Sequence, residues 1–118
     1  MFEFDFERLN VYRFSVRFFR EALKLTRTLP KDLNFSLGDQ FRRAALSIVN
    51  NIAEGSGKES KKEKVYFYNT SLHSARECVP MITILHEENI IDQSQNNIFR
   101  SNIREITSML TGLIKAVK

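Results

Sequence analysis

The sequence predicts an all-α fold, an antiparallel up-and-down four-helix bundle, and three observations carry that expectation. Apolar residues recur at three- and four-residue steps through four segments of roughly twenty residues, the spacing of one helix face. Four Gly and two Pro in 118 residues leave little of the turn chemistry that a β-rich chain needs. The breaks between segments are short, and short connections join antiparallel neighbours.

The first segment runs from about Phe6 to Thr28 and stops before Leu29-Pro30, because proline disfavours helix at the residue ahead of it. Val11, Ser15, Phe18, Ala22, Leu25 and Leu29 form one stripe, and Tyr12, Val16, Phe19 and Leu23 form another beside it. Together they make a face wide enough for two neighbours. The opposite face carries Arg13, Arg17, Arg20, Lys24 and Arg27.

The second segment is expected to begin at Ser36, as N-cap, with Asp39 in the first turn, and to end at Gly55 as the C′ glycine. Leu37, Phe41, Ala44, Ile48 and Ile52 are its core stripe. The third opens on Ser60-Lys-Lys-Glu63, a capping-box pattern, and continues to about Glu88. Val65, Tyr68, Leu72, Ala75, Val79 and Ile82 make one apolar line there, and Phe67, Ser71, Cys78 and Leu85 a second. Pro80 falls inside the pattern, which predicts a bend near Arg76 to Pro80, since the period continues past it. The fourth segment follows the turn Asn89 to Asp92 and spans about Gln93 to Val117, with Phe99, Ile103, Ile106, Leu110, Leu113 and Val117 inward. Residues 1–118 are therefore read as one four-helix bundle domain, the length being too short for two.

Composition narrows the function classes. Hydrophobic residues at 42% and charged residues at 27% suit a globular domain rather than a disordered chain. The lone cysteine, Cys78, excludes an internal disulfide. MFEFDFERLN places acids where a signal peptide needs bases, and no stretch approaches about 18 apolar residues. A cytoplasmic, bacterial-type location with no membrane partner is the expectation. A net charge of +4 permits an acidic or nucleic-acid partner without demanding one.

Three constellations stand out. The stripe Arg13, Arg17, Arg20, Lys24 and Arg27 has the spacing to follow a phosphate backbone; with Glu7 and Glu21 nearby, the plainer reading is a solvated helix face. Lys58, Lys61, Lys62 and Lys64 surround the start of the third helix, where the helix dipole disfavours cations, and they invite an anion; interleaved Glu59 and Glu63 favour a plain exposed loop. Gln40, Ser47, Asn51 and Glu54, with Arg43 beside them, run down one line next to the second helix's apolar stripe. Such a line is expected to be hydrogen-bonded and to fix helix packing or a subunit interface, so that Glu54→Ala lowers stability or loosens the oligomer. The alternative is a ligand pocket.

No catalytic residue, metal or cofactor is expected. Di-iron bundles need Glu-x-x-His pairs on two helices, and none occurs here. His73 with Cys78 has no zinc spacing, and Cys78 falls on an inward stripe where cysteine acts as a small hydrophobe. Gly55-Ser-Gly57 reads as a helix-to-helix turn, not a phosphate loop.

The string Gln40-Phe-Arg-Arg-Ala-Ala-Leu-Ser47-Ile48-Val-Asn-Asn51-Ile52-Ala53-Glu54-Gly55, followed by Gly57 and Ser60, resembles the signature of the four helix bundle protein family, also called the 23S-ribosomal-RNA intervening-sequence proteins. Leu9-Asn-Val-Tyr12, Leu29-Pro30 and Ser74-Ala-Arg-Glu77 resemble their counterparts in that family. The chain departs from it at Val49-Asn50, where many members carry proline. The resemblance implies an up-down bundle that assembles as a ring-shaped homopentamer without enzymatic activity. It is also similar to the accessory proteins of diversity-generating retroelements, which implies binding of RNA or DNA. The expected function is a homo-oligomeric, non-enzymatic scaffold that binds nucleic acid or a ribonucleoprotein through its basic faces. The alternative is an oligomeric module that binds only a protein partner.

Overall fold

The computed structural model describes residues 2–118. A short 3-10 turn over Asp5–Arg8 leads to Leu9, which is extended, and then to helix α1, Asn10–Thr26. Helices α2 (Asp39–Ser56), α3 (Lys61–Glu87) and α4 (Gln93–Val117) follow. Consecutive helices are neighbours, and α4 returns beside α1 along a thinner seam, which completes the up-and-down bundle. Among the described residues there is no β-strand.

The first helix begins later than its periodicity predicts, because the Arg13 side chain captures the carbonyls of Glu7 and Arg8 (3.0 and 3.1 Å) and ends the 3-10 turn there. The second begins earlier. Pro30 itself stands at the N-cap, with a helical turn at Lys31–Leu33 and a wider π-turn at Asn34–Gly38 running on into α2. Ser36 is therefore not a cap; its hydroxyl donates back to the Asp32 carbonyl at 3.1 Å. The π-turn is held from outside, since the Arg42 guanidinium donates to both the side chain and the carbonyl of Asn34. Pro30 followed by Lys31-Asp32 is the overlooked signal, a rigid φ and an acid at a helix start.

Gly55 is also not the helix end. It lies within α2, which Gly57 terminates, and the Lys64 ammonium donates to the carbonyls of Gly55 and Ser56 (3.4 and 3.0 Å). A β-carbon on Gly55 would sit 2.6 and 2.8 Å from the Tyr68 ring, so the glycine is there for the close approach of α3. Ser60 caps α3 by accepting from the Glu63 amide at 3.1 Å, and α3 continues unbroken through Pro80. It ends on Asn89 at φ 60°, with the Ile90 amide returning to the Leu85 carbonyl and the Asn89 amide to that of His86, a Schellman closure. Asp92 and Gln95 then form a reciprocal capping box on α4.

The core draws on all four helices. Phe18 of α1, Phe41 of α2 and Phe99 of α4 meet edge to face, with ring centroids 6.1, 6.0 and 5.9 Å apart. On α1 the stripe Val11, Ser15, Phe18, Ala22, Leu25 and Leu29 is the buried one, while Tyr12, Val16, Phe19 and Leu23 stay half-buried. On α3 the buried set is Tyr68, Ser71, Ser74, Ala75, Cys78, Met81, Ile82 and Leu85. Val65, Leu72 and Val79, expected inward, are only half-buried.

Two glycine substitutions test the α2–α3 contact. Gly55→Ala forces a methyl into the Tyr68 ring and is expected to destabilise by about 1–3 kcal/mol in chemical denaturation. Gly112→Ala on α4 meets nothing within 4 Å and should gain up to about 1 kcal/mol from helix propensity alone. Equal responses at the two sites would contradict the packing assigned to Gly55.

Candidate functional site

The five cations of the first stripe, four on α1 and Arg27 at its C-cap, are all exposed, but they are not equally available. Arg13 is spent on its own backbone. Arg17 lies 5.3 Å over the Phe14 ring, and Glu105 of α4 lines the same cleft as Arg13 and Arg17. Lys24 pairs with Glu21 at 3.4 Å. Arg20 and Arg27 make no ion pair, side-chain hydrogen bond or cation–π contact among the described residues.

The lysine cluster divides similarly. Lys58 reaches Glu54 at 3.7 Å and sits 5.2 Å over Phe67, while Lys64 caps α2. Lys61 and Lys62 project from the first turn of α3 without a partner among the described residues, against the helix dipole. The pairs that do exist are exposed, and each contributes little.

The polar line on α2 splits in two. Ser47 and Asn51 are half-buried and bonded: the Asn51 amide donates to the Ser47 carbonyl and hydroxyl (2.8 and 3.0 Å), and the Ser47 and Ser74 hydroxyls share a 2.7 Å bond across to α3. One turn away, the Ser71 hydroxyl donates to the Ile48 carbonyl at 2.8 Å. Gln40, Arg43 and Glu54 are exposed instead, Arg43 pairing with Asp39 at 3.0 Å. Gln40, Arg43 and Ser47 line an open groove between α2 and α3 with Leu37, Met81 and Ile84. Within the chain Glu54 lies outside the hydrogen-bonded network and pairs only with Lys58 among the described residues.

Cys78 is fully buried, and burial, with Glu77 adding repulsion, pushes its thiol up from 9.0 to about 12. A thiol so placed is no nucleophile at neutral pH. Among the described residues no three His, Cys, Asp or Glu side chains come together as a metal site would require.

A further basic feature was hidden in the sequence. Arg76 of α3 and Arg100 and Arg104 of α4 line one groove with Leu72, Val79 and Ile103. No stripe on either helix announces them, because the cluster forms only when α3 and α4 pair.

Comparison with known proteins bears on the fold and the family. The family model for 23S rRNA-intervening sequence protein matches residues 7–112. A solved structure of a protein of unknown function from the S23 ribosomal protein family of Bacteroides thetaiotaomicron superposes with a TM-score of 0.82 at 24% identity, covering 89% of this chain and 95% of that one. No curated protein matches.

Two stability measurements separate bonded from unbonded members of the polar line. Ser74→Ala, which removes the bond from the Ser47 hydroxyl across to α3 and leaves it only the Asn51 amide, should cost about 1 kcal/mol, whereas Glu54→Ala should stay within about 0.5 kcal/mol. The Cys78 thiol gives a pH dependence. Its folded pKa is raised, so the unfolded chain releases the proton first, and stability falls as pH rises from about 9 toward 12. Denaturation scans of wild type and Cys78→Ala should therefore converge or cross above pH 9; parallel curves would show the thiol to be less buried than it is here.

Proposed function

This chain belongs to the 23S rRNA-intervening sequence protein family, and from that membership and its surfaces we propose that it is a non-enzymatic, self-associating helical scaffold that holds nucleic acid or a ribonucleoprotein. The observation that supports the reading is the pair of exposed, unpaired cations Arg20 on α1 and Arg27 at its C-cap, with Lys61 and Lys62 as a second exposed pair. Cations on a convex surface without carboxylates to neutralise them gain by replacing the counterions of a phosphate backbone. Such contact positions a strand without reading its sequence. The names carried by the family and by its solved neighbour make ribosomal RNA the natural probe. We take the assembly to be the homopentamer implied by the family resemblance, working in the cytoplasm. No helix among the described residues is long and apolar enough to cross a membrane.

A second reading, an oligomeric module with a protein partner alone, is favoured by the exposed Phe35, Tyr66, Ile84 and Ile98 (74, 64, 46 and 56% accessible), which a free monomer would leave in water.

Binding to labelled structured RNA and to duplex DNA decides between the two. With about four phosphate contacts, affinity should fall roughly a hundredfold between 50 and 200 mM salt. Arg20→Glu combined with Arg27→Glu should abolish most of that binding while circular dichroism stays unchanged. Unaltered affinity in the double variant would move the site off α1, and absence of binding at low salt would leave the protein-partner reading.

A further inference from the structure

The groove between α3 and α4, about 670 Å³ and open along one side, combines two properties that a solvated face does not need. Its rim is cationic. Arg100 is held in place by donating to Asn96 Oδ1 at 3.1 Å and to Thr83 Oγ1 at 2.6 Å, while Arg76 and Arg104 have no partner among the described residues. No carboxylate lines the groove; Glu77 faces the α2–α3 groove and Glu105 the α1 cleft. Its floor is apolar, made by Leu72, Val79 and Ile103. A phosphate backbone would satisfy the rim and leave the floor without a partner. A peptide that alternates apolar and acidic residues satisfies both, since carboxylates take guanidinium hydrogen bonds and apolar side chains cover the floor. The wall adds an acceptor for such a peptide, because Pro80 leaves the Arg76 carbonyl without its helical donor.

The chain exposes a segment of that composition. Phe2-Glu3-Phe4 leads into the first turn, which opens at Asp5, with Phe2 80% and Phe4 56% accessible. In an extended segment Phe2 and Phe4 point to one side and Glu3 to the other, and Asp5 follows at the start of the turn. Four extended residues reach about 13 Å, and the groove wall from Arg100 to Thr111 runs about 16 Å along α4. The segment is now engaged by the Glu3–Arg8 ion pair and by ring contacts from Phe2 to Phe4 and from Phe4 to Phe6; the ion pair is solvent-exposed and readily exchanged. The segment cannot reach its own groove, because Phe6 anchors it on Tyr12 (5.0 Å between centroids) and on the Ala53–Lys58 end of α2, across the bundle from α3–α4.

The geometry points to a head-to-tail contact in which the Phe2–Asp5 arm of one copy lies in the arginine groove of the next. Each copy offers one arm and one groove, so the contact is heterologous and closes as a ring if the rotation between copies allows. This rests on the self-association in the reading above and names its surfaces.

The test is native mass by sedimentation velocity on the full chain over a concentration series. Four proteins are compared: wild type; a groove reversal, Arg76→Glu with Arg104→Glu; an arm reversal, Glu3→Arg with Asp5→Arg; and the two reversals combined. All four positions are exposed and no helix depends on them, and circular dichroism confirms folding. Each single reversal should weaken self-association tenfold or more, and the combined protein, with charges exchanged, should recover most of it. Wild-type mass in both single reversals would overturn the arm-in-groove contact while leaving self-association standing. A monomeric wild type would overturn both. A groove reversal that keeps its mass but loses RNA affinity would overturn the contact and give the groove to nucleic acid.

Discussion

The close approach of α2 and α3 is the constraint on which the rest of the molecule depends. These two helices form the most extensive contact in the bundle, and small residues line it on both sides: Ala44, Ser47 and Gly55 on α2, Ser71, Ser74, Ala75 and Cys78 on α3. At that distance hydroxyls can reach backbone and one another, which explains why Ser71 finds the Ile48 carbonyl and Ser47 finds Ser74. Polar atoms buried at such a seam cost stability unless they are paired, and here they are. The Tyr68 ring, seated over Gly55 with its hydroxyl 3.2 Å from that of Ser56, fixes the longitudinal register of the pair. Once the register is set, Phe41 is delivered to the level of Phe18 and Phe99, and the three rings tie α1 and α4 to the hairpin.

A tight pair on one side leaves looser seams elsewhere. Helix α4 touches α1 much less than it touches α3, and clefts open along that seam beside Phe14, Met109, Leu25 and Ile98. Half-buried Leu72 and Val79 have the same origin, because α3 turns its small residues to α2 and so turns these larger ones toward the α4 groove. The Phe-rich core is consistent with this arrangement. With no Trp in the chain, three edge-to-face rings fill the width where three helices diverge, and aliphatic side chains fill the narrower levels.

Much of the architecture was legible because burial imposes a period. The α1 stripe from Val11 to Leu29, the α2 stripe from Phe41 to Ile52 and the α4 stripe from Phe99 to Leu110 each repeat at the helical step and each is buried. What misled was local punctuation. Ser36 has the chemistry of an N-cap, but Pro30 six residues earlier had already begun the helix, and the π-turn carried it past Ser36. Gly55 has the chemistry of a C′ residue, yet tertiary contact with Tyr68 decided its role. On α3 the small residues Ser71, Ser74, Ala75 and Cys78 weakened the apolar signal along the most buried face, so Leu72 and Val79 were read as more inward than they are. The polar line was legible as a line. Which of its members bond across to α3 was not, since that depends on Ser74, a residue of another helix.

The basic surfaces show why net charge and linear spacing are insufficient guides to a binding face. The first stripe is conspicuous in the sequence, but backbone carbonyls, an aromatic ring and a neighbouring glutamate occupy three of its five cations, and Arg20 and Arg27 stay unpaired among the described residues. Arg76, Arg100 and Arg104 are inconspicuous, being scattered over two helices, yet pairing of α3 and α4 gathers them around a floor free of carboxylates. The attraction of a site depends on which opposite charges pair directly with its cations and on how far the cations are shielded from water, not on how many of them share a helix face. Shape then separates the two surfaces. A convex face offers charge alone and suits a polyanion, whereas a concave one with an apolar floor also gains from excluding water and suits a segment that brings hydrophobic side chains with its carboxylates.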